Sequence, residues 1–254
     1  MENINVTTKA QPTTTCENGF VAGTLVHTKE GLRPIEQIKV GDCVLSKPES
    51  GEAIYKRVVR SFEYEDREVY FVSYSTGIDE FIQEQMVVTG NHPFWVERLE
   101  GIDGSENISG WVTADKLYEM VENTGMFPMF VSKDGRLAKW GYSGPLLRTT
   151  NPLLGIVYIN FEQNVFEDGV GIDFSTGYPE ALTEEYMGRE SYQSIPMDIE
   201  PEDYIHAEKS ILSISGGYHP MLRKVYTLEV EDNHTYFVGD AGVLVHENTG
   251  SLVA

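Results

Sequence analysis

The chain has 254 residues and a formal net charge of −21, with 40 acidic side chains against 19 basic ones. An excess of carboxylates this large repels phosphate backbones, which argues against nucleic-acid binding and for a solvated surface or a basic protein partner. Two cysteines are too few for a disulfide framework, and no stretch is long or apolar enough to span a bilayer.

In chain order, residues 1–15 are polar and Thr-rich and read as a flexible lead-in. The opening Met1-Glu2-Asn3-Ile4-Asn5 is acidic and unlike a signal peptide, so a soluble chain is expected. Gly23-Thr24 predicts a tight turn, Leu25-Val26 a strand, and Lys29-Glu30-Gly31 a turn before the apolar positions Ile35, Ile38 and Val40. Gly41-Asp42 turns the chain into Val44-Leu45, and Cys43 in that alternating run is expected to be a buried small hydrophobe. Further strands are predicted at 69–74, 155–161 and 225–230. The apolar run Met86-Val87-Val88 leads into Thr89 and His92. A helix is predicted over 114–121, with Thr113 as its cap and Leu117, Met120 and Val121 at helical spacing. Nothing reads as a helical bundle, so the class is all-β.

The segment from 160 to 208 is crowded with Asp and Glu, and Arg189 is its one base. Its pairs Glu184-Glu185 and Glu202-Asp203 lack the spacing of a calcium loop. His27, His206 and His219 lack metal-ligand spacing, so neither a metal nor a cofactor is expected.

Three separated blocks carry a resemblance: FVAGTLVHTKEGLRPIEQIKVGDCVLS from Phe20, VVTGNHPFWV from Val87, and VYTLEVEDNHTYFVGDAGVLVHE from Val225. In wording and order they resemble the Hint (hedgehog/intein) fold of bacterial polymorphic toxins, the pretoxin type. The stretch Gly110-Trp111-Val112-Thr113-Ala114-Asp115-Lys116-Leu117 continues the likeness. The resemblance implies a β-horseshoe that brings the two ends of the domain together. It implies a Hint domain over 16–248, with core blocks 19–98 and 222–248, a long acidic β-rich insertion over 99–221, and a short tail over 249–254.

The family's chemistry begins with a Cys or Ser that attacks the carbonyl before it and forms a thioester or ester. The matching position here is Gly19, which has no side chain. Cys16 lies three residues earlier, and a shift there would cut after Thr15; its plain reading is an inert thiol. By resemblance, Thr89 and His92 form the TxxH element, whose His assists departure of the scissile amide nitrogen. An isolated Thr-x-x-His is a common match, and the flanking blocks are what give this one its weight. His234 matches the His that polarises the downstream carbonyl, and His246 the His before a terminal Asn that cyclises and cuts the chain. Here Glu247 follows His246 and the Asn comes one place late, as Asn248. A one-residue slip in a strand sends the side chain to the other face, so Asn248 would need a bulge to act. Thr227 stands where inteins often carry an Asp.

The resemblance thus implies an autoprocessing domain whose substrate is its own flanking polypeptide, impaired by Gly19 and Glu247. Restoring Gly19→Cys is expected to revive upstream cleavage if Thr89 and His92 are still placed for it. The alternative is an inactive Hint-fold module serving as a spacer, or an acidic protein that binds a toxin or other basic partner. Localisation would be cytoplasmic unless the chain is exported within a toxin-delivery system.

Overall fold

Alternating apolar positions between glycine-marked turns give a chain of short strands, joined by one long one. A computed structural model describes residues 17–76, 83–148, 151–158, 169–181 and 220–247. The expected lead-in, Cys16, Asn248, the tail, and most of the acidic 160–208 segment with Arg189, His206 and its Glu pairs lie outside the described residues, as does His219.

The first strands are β1 (Phe20–Val21), β2 (Leu25–Thr28), β3 (Gly31–Pro34), β4 (Cys43–Ser46) and β5 (Ile54–Ser75). They continue as β6 (Gln83–Thr89), β7 (Pro93–Gly101), β8 (Gly104–Glu106) and β9 (Gly110–Thr113), which runs into helix α1 (Ala114–Thr124). After α1 come β10 (Phe127–Val131) and β11 (Leu137–Pro145), then β12 (Leu147–Arg148), β13 (Leu154–Tyr158), β14 (Gly169–Asp173) and β15 (Glu180–Ala181). The last block supplies β16 (Leu222–Val230), β17 (Thr235–Val238) and β18 (Val243–His246). The strands expected at 69–74 and 225–230 fall inside β5 and β16, and the part of 155–161 that is described falls inside β13.

Among the described residues, fourteen strands form one antiparallel sheet in the order β11-β10-β7-β18-β17-β2-β4-β5-β16-β1-β6. β3 pairs with β2, and β8 and β9 pair with β7. β11 also pairs with β5, so the path closes on itself. The 22 residues of β5 would span about 70 Å if straight, too long for one flat layer. Its first part pairs with β4, its middle with β16 and its last part with β6 and β11. Register shifts between Arg223 and Val225 and between Glu229 and Val230 relieve the mismatch as the strand curves. This is the expected all-β, Hint-like architecture. β7 runs through position 99, and β10 and β11 pair with β7 and β5, so the start of the expected insertion is continuous with the main sheet. A separate sheet, β12-β13-β14-β15, carries the following residues.

The main core gathers Phe20, Phe94, Phe130, Tyr236, Val245 and Leu117 with their neighbours, all essentially inaccessible. Cys43 is partly exposed, contrary to expectation, because the alternation along β4 turns Val44 and Ser46 inward instead. No described helix is long and apolar enough to cross a membrane.

The topology also explains how the first and last strand blocks meet. β1 lies on β6 through Phe20 and Val88, and β18 lies on β7 through Val245 and Phe94. β6 and β7 are consecutive, joined by the turn from Thr89 to His92. Both ends of the domain therefore reach the same short turn.

Candidate active site

The turn at 89–92 is braced from behind by helix α1. The first amides of a helix have no partner within it. Here Ala114 N–H donates to the His92 carbonyl (3.0 Å) and Asp115 N–H to the Gly90 carbonyl (2.9 Å). Thr113 precedes the helix as predicted but makes no capping bond; its hydroxyl donates to the Asp115 carboxylate (2.5 Å). The helix runs past the predicted end at 121 to Thr124, where Gly125 stops it with φ of 67°, a left-handed conformation that glycine adopts at little cost.

On its front side the turn holds the upstream junction. Gly19 N–H donates to Thr89 Oγ1 (3.1 Å), and Thr89 N–H donates back to the Gly19 carbonyl (2.9 Å). The Thr89 hydroxyl thus sits on the nitrogen of the peptide bond between Asn18 and Gly19. His92 is completely buried, its ring edge-on to Phe20 at 4.3 Å between centroids. Neither ring nitrogen has a hydrogen-bond partner among the described residues. Burial, with the nearby His246 adding to it, pushes the His92 pKa down to about 3, so the imidazole is neutral near pH 7.

Gly19 is more than a missing nucleophile. A Cβ built there would stand 2.5 Å from the Tyr226 carbonyl oxygen, a backbone atom of the paired strand β16. The expectation that Gly19→Cys revives cleavage is therefore corrected: the position has no room for a side chain unless β1 and β16 move apart. Just upstream, Glu17 pairs with Arg67. Between them Asn18 is 1% exposed, and neither atom of its carboxamide has a partner among the described residues.

The downstream end is built around Glu247. Its side chain, 1% exposed, accepts from Val230 N–H (2.7 Å) and shares a 2.5 Å contact with His234 Nδ1. Burial raises its pKa to about 7, against the opposing pull of His234. His234 reaches this position from a left-handed backbone with φ of 57°, a conformation that costs a non-glycine residue roughly 1–2 kcal/mol. Its N–H donates to the Val230 carbonyl (3.2 Å), and Glu247 N–H donates to the His234 carbonyl (2.9 Å). His234 thus faces the carboxylate that replaces the expected Asn amide. His246 is packed against Trp111 at 5.0 Å between centroids, and burial lowers its pKa. Thr227, at the Asp position of inteins, is buried with Oγ1 3.4 Å from the Tyr236 hydroxyl.

The structure thus brings together Thr89, His92 and Gly19 on one side and His234, His246 and Glu247 on the other. Cys16 and Asn248 lie outside the described residues. The sequence reading missed Asn18, Trp111 and Tyr236. For Asn18 a signal was present, since Asn-Gly stands directly before the first block; Trp111 and Tyr236 gain their places only through strand pairing.

The strand order and the long curved β5 give a Hint-type, intein-like all-β fold. Residues 25–124 match the pretoxin HINT domain family. No curated protein matches the chain. Among solved structures, it is similar to a bacterial intein-like domain from Clostridium thermocellum at 21% identity and a TM-score of 0.47, covering 90% of this chain and 97% of that one. A DnaB intein from Synechocystis sp. PCC 6803 matches at 11% identity and a TM-score of 0.44, covering 90% and 97%. The gp41-1 intein matches at 15% identity and a TM-score of 0.38, covering 90% and 98%.

Proposed function

We propose that this chain is the autoprocessing domain of a bacterial pretoxin system, acting in cis on its own polypeptide at the bond between Asn18 and Gly19. The observation that carries this reading is the 3.1 Å bond from Gly19 N–H to Thr89 Oγ1. It puts a hydroxyl on the nitrogen that would leave, beside a buried neutral imidazole. No acyl shift occurs at position 19, because glycine offers neither thiol nor hydroxyl. At the downstream end Glu247 is held by Val230 and His234, so cleavage there is impaired.

A second reading has its own support. The tight fit of Gly19 against Tyr226 and the closed hydrogen bonding of Glu247 suit an inert module. Such a module would act as a spacer, or use its net charge of −21 to bind a basic toxin or another basic protein.

Intact-protein mass spectrometry during incubation at neutral pH, with and without dithiothreitol, separates the two. Self-processing gives a pair of fragments meeting at the 18/19 bond, at a rate indifferent to thiol. A full-length mass throughout, in a folded chain, would favour the inert module. Thiol-dependent loss of residues 1–15 would assign the chemistry to Cys16.

A further inference from the structure

The upstream junction lacks the side chain that normally attacks, yet the catalytic turn still grips the peptide bond. The residue on the other side of that bond is buried with its side-chain amide unpaired among the described residues. Asn18 is almost fully inaccessible, and neither its Oδ1 nor its Nδ2 is hydrogen-bonded to any described residue. A buried amide left unpaired is costly, and such a group in a native fold calls for a reason. The main chain on either side is fixed: Glu17 pairs with Arg67, and Gly19 exchanges two hydrogen bonds with Thr89.

We infer that Asn18 is the nucleophile of this domain, its carboxamide attacking its own main-chain carbonyl and releasing Gly19 as a new N-terminus. This rests on the processing reading above and names the group that carries it out. In the step, Asn18 Nδ2 forms a bond to the Asn18 carbonyl carbon, and the bond from that carbon to the Gly19 nitrogen breaks. One proton passes in net from Nδ2 to the departing nitrogen. The products are a C-terminal aminosuccinimide on residue 18 and a free α-amine on Gly19, and no water is consumed. The Thr89 hydroxyl, which accepts from the Gly19 N–H before the reaction, turns its own proton onto that nitrogen as it pyramidalises and departs, and regains a proton from Asn18 Nδ2.

Two features direct the attack. Gly19 carries no Cβ, so nothing on the leaving side crowds the carbonyl carbon. The familiar competing reaction of an Asn-Gly pair, in which the glycine nitrogen attacks the side chain and expels ammonia, needs that nitrogen released from its partner. Here its N–H is bound to Thr89 and its carbonyl to the Thr89 amide, next to the Phe20–Val88 strand pairing. The fold thus holds the backbone nitrogen in place and leaves the side-chain nitrogen unbound.

The test uses the full chain. Samples incubated at neutral pH are quenched early in acid and weighed intact. The expected upstream fragment ends at Asn18 and is one water lighter than the free acid, maturing later into a mixture of C-terminal asparagine and isoasparagine. Asn18→Ala, shown to be folded by an unchanged circular dichroism spectrum, should give no fragment. The wild-type fragment mass does not depend on that variant folding. A cut at the same bond that yields the free acid from the earliest time, or that persists in folded Asn18→Ala, would leave the processing reading standing and remove Asn18 as nucleophile. A full-length chain carrying isoaspartate at 18 would make the Gly19 nitrogen the attacker and overturn the inference. An unchanged chain would remove the processing reading itself, and the inference with it.

Discussion

His92 and Glu247 bend the stability of the fold in opposite directions as pH changes. For His92, burial lowers the pKa from 6.5 to about 3. Above 6.5 the imidazole is neutral in both states; below it the unfolded chain takes up a proton that the folded one refuses, so stability falls with falling pH. For Glu247, burial raises the pKa from 4.5 to about 7. Below 4.5 the carboxyl is protonated in both states; as pH rises toward 7 the unfolded chain ionises first, so stability falls with rising pH. Each slope is about 1.4 kcal/mol per pH unit. Across the overlap from 4.5 to 6.5 the two contributions offset each other. Glu247→Gln, which keeps an acceptor for Val230 N–H, should leave a stability that rises with pH over this window. His92→Gln should leave one that falls. Urea midpoints at several pH values check both signs, and parallel profiles for the two variants would contradict the assignment.

At the scale of elements, α1 is the brace of the Thr89–His92 turn. It touches that turn through two backbone bonds and is anchored to the core by Leu117, which is fully buried. Leu117→Ala should cost about 2–5 kcal/mol by chemical denaturation. It should also slow self-processing in the molecules that remain folded, because loosening α1 frees the turn that holds Gly19. Normal processing in a destabilised variant would show that the turn keeps its shape without the helix. This element was legible in the sequence from the 117, 120, 121 spacing and the Thr113 cap position, although the capping bond did not form as read. The Thr89–His92 turn and the β16 strand were legible too, since each has a local pattern. The length of β5 was not, because it is sustained by successive pairings with β4, β16, β6 and β11, strands far apart in the chain. Nor was the burial of Asn18 or the grip on Glu247. Those arise from contacts between residues far apart in the chain, such as Gly19 with Thr89 and Val230 with Glu247, and no window of sequence contains both partners.

For the molecule as a whole, the net charge of −21 sets carboxylates against one another in the folded state. The described basic side chains are mostly spent locally. Lys224 sits between Glu63 and Glu65, Arg33 pairs with Asp42, and Lys56 with Asp232. Such solvent-screened surface pairs add little to stability, and salt weakens them. The same salt relieves the repulsion among the unpaired acids, whose range shrinks from about 10 Å at 0.1 M to 3 Å at 1 M. With acidic groups outnumbering basic ones 40 to 19, the repulsion released exceeds the attraction lost. The melting temperature should therefore rise with sodium chloride, by about 2–4 °C for each kcal/mol of repulsion relieved in a chain of this size. A scan of thermal unfolding against salt measures this directly. A fall would mean that the local ion pairs dominate over the overall charge. The step assigned to Asn18 moves no net charge, so its rate should stay level across the same scan while stability climbs.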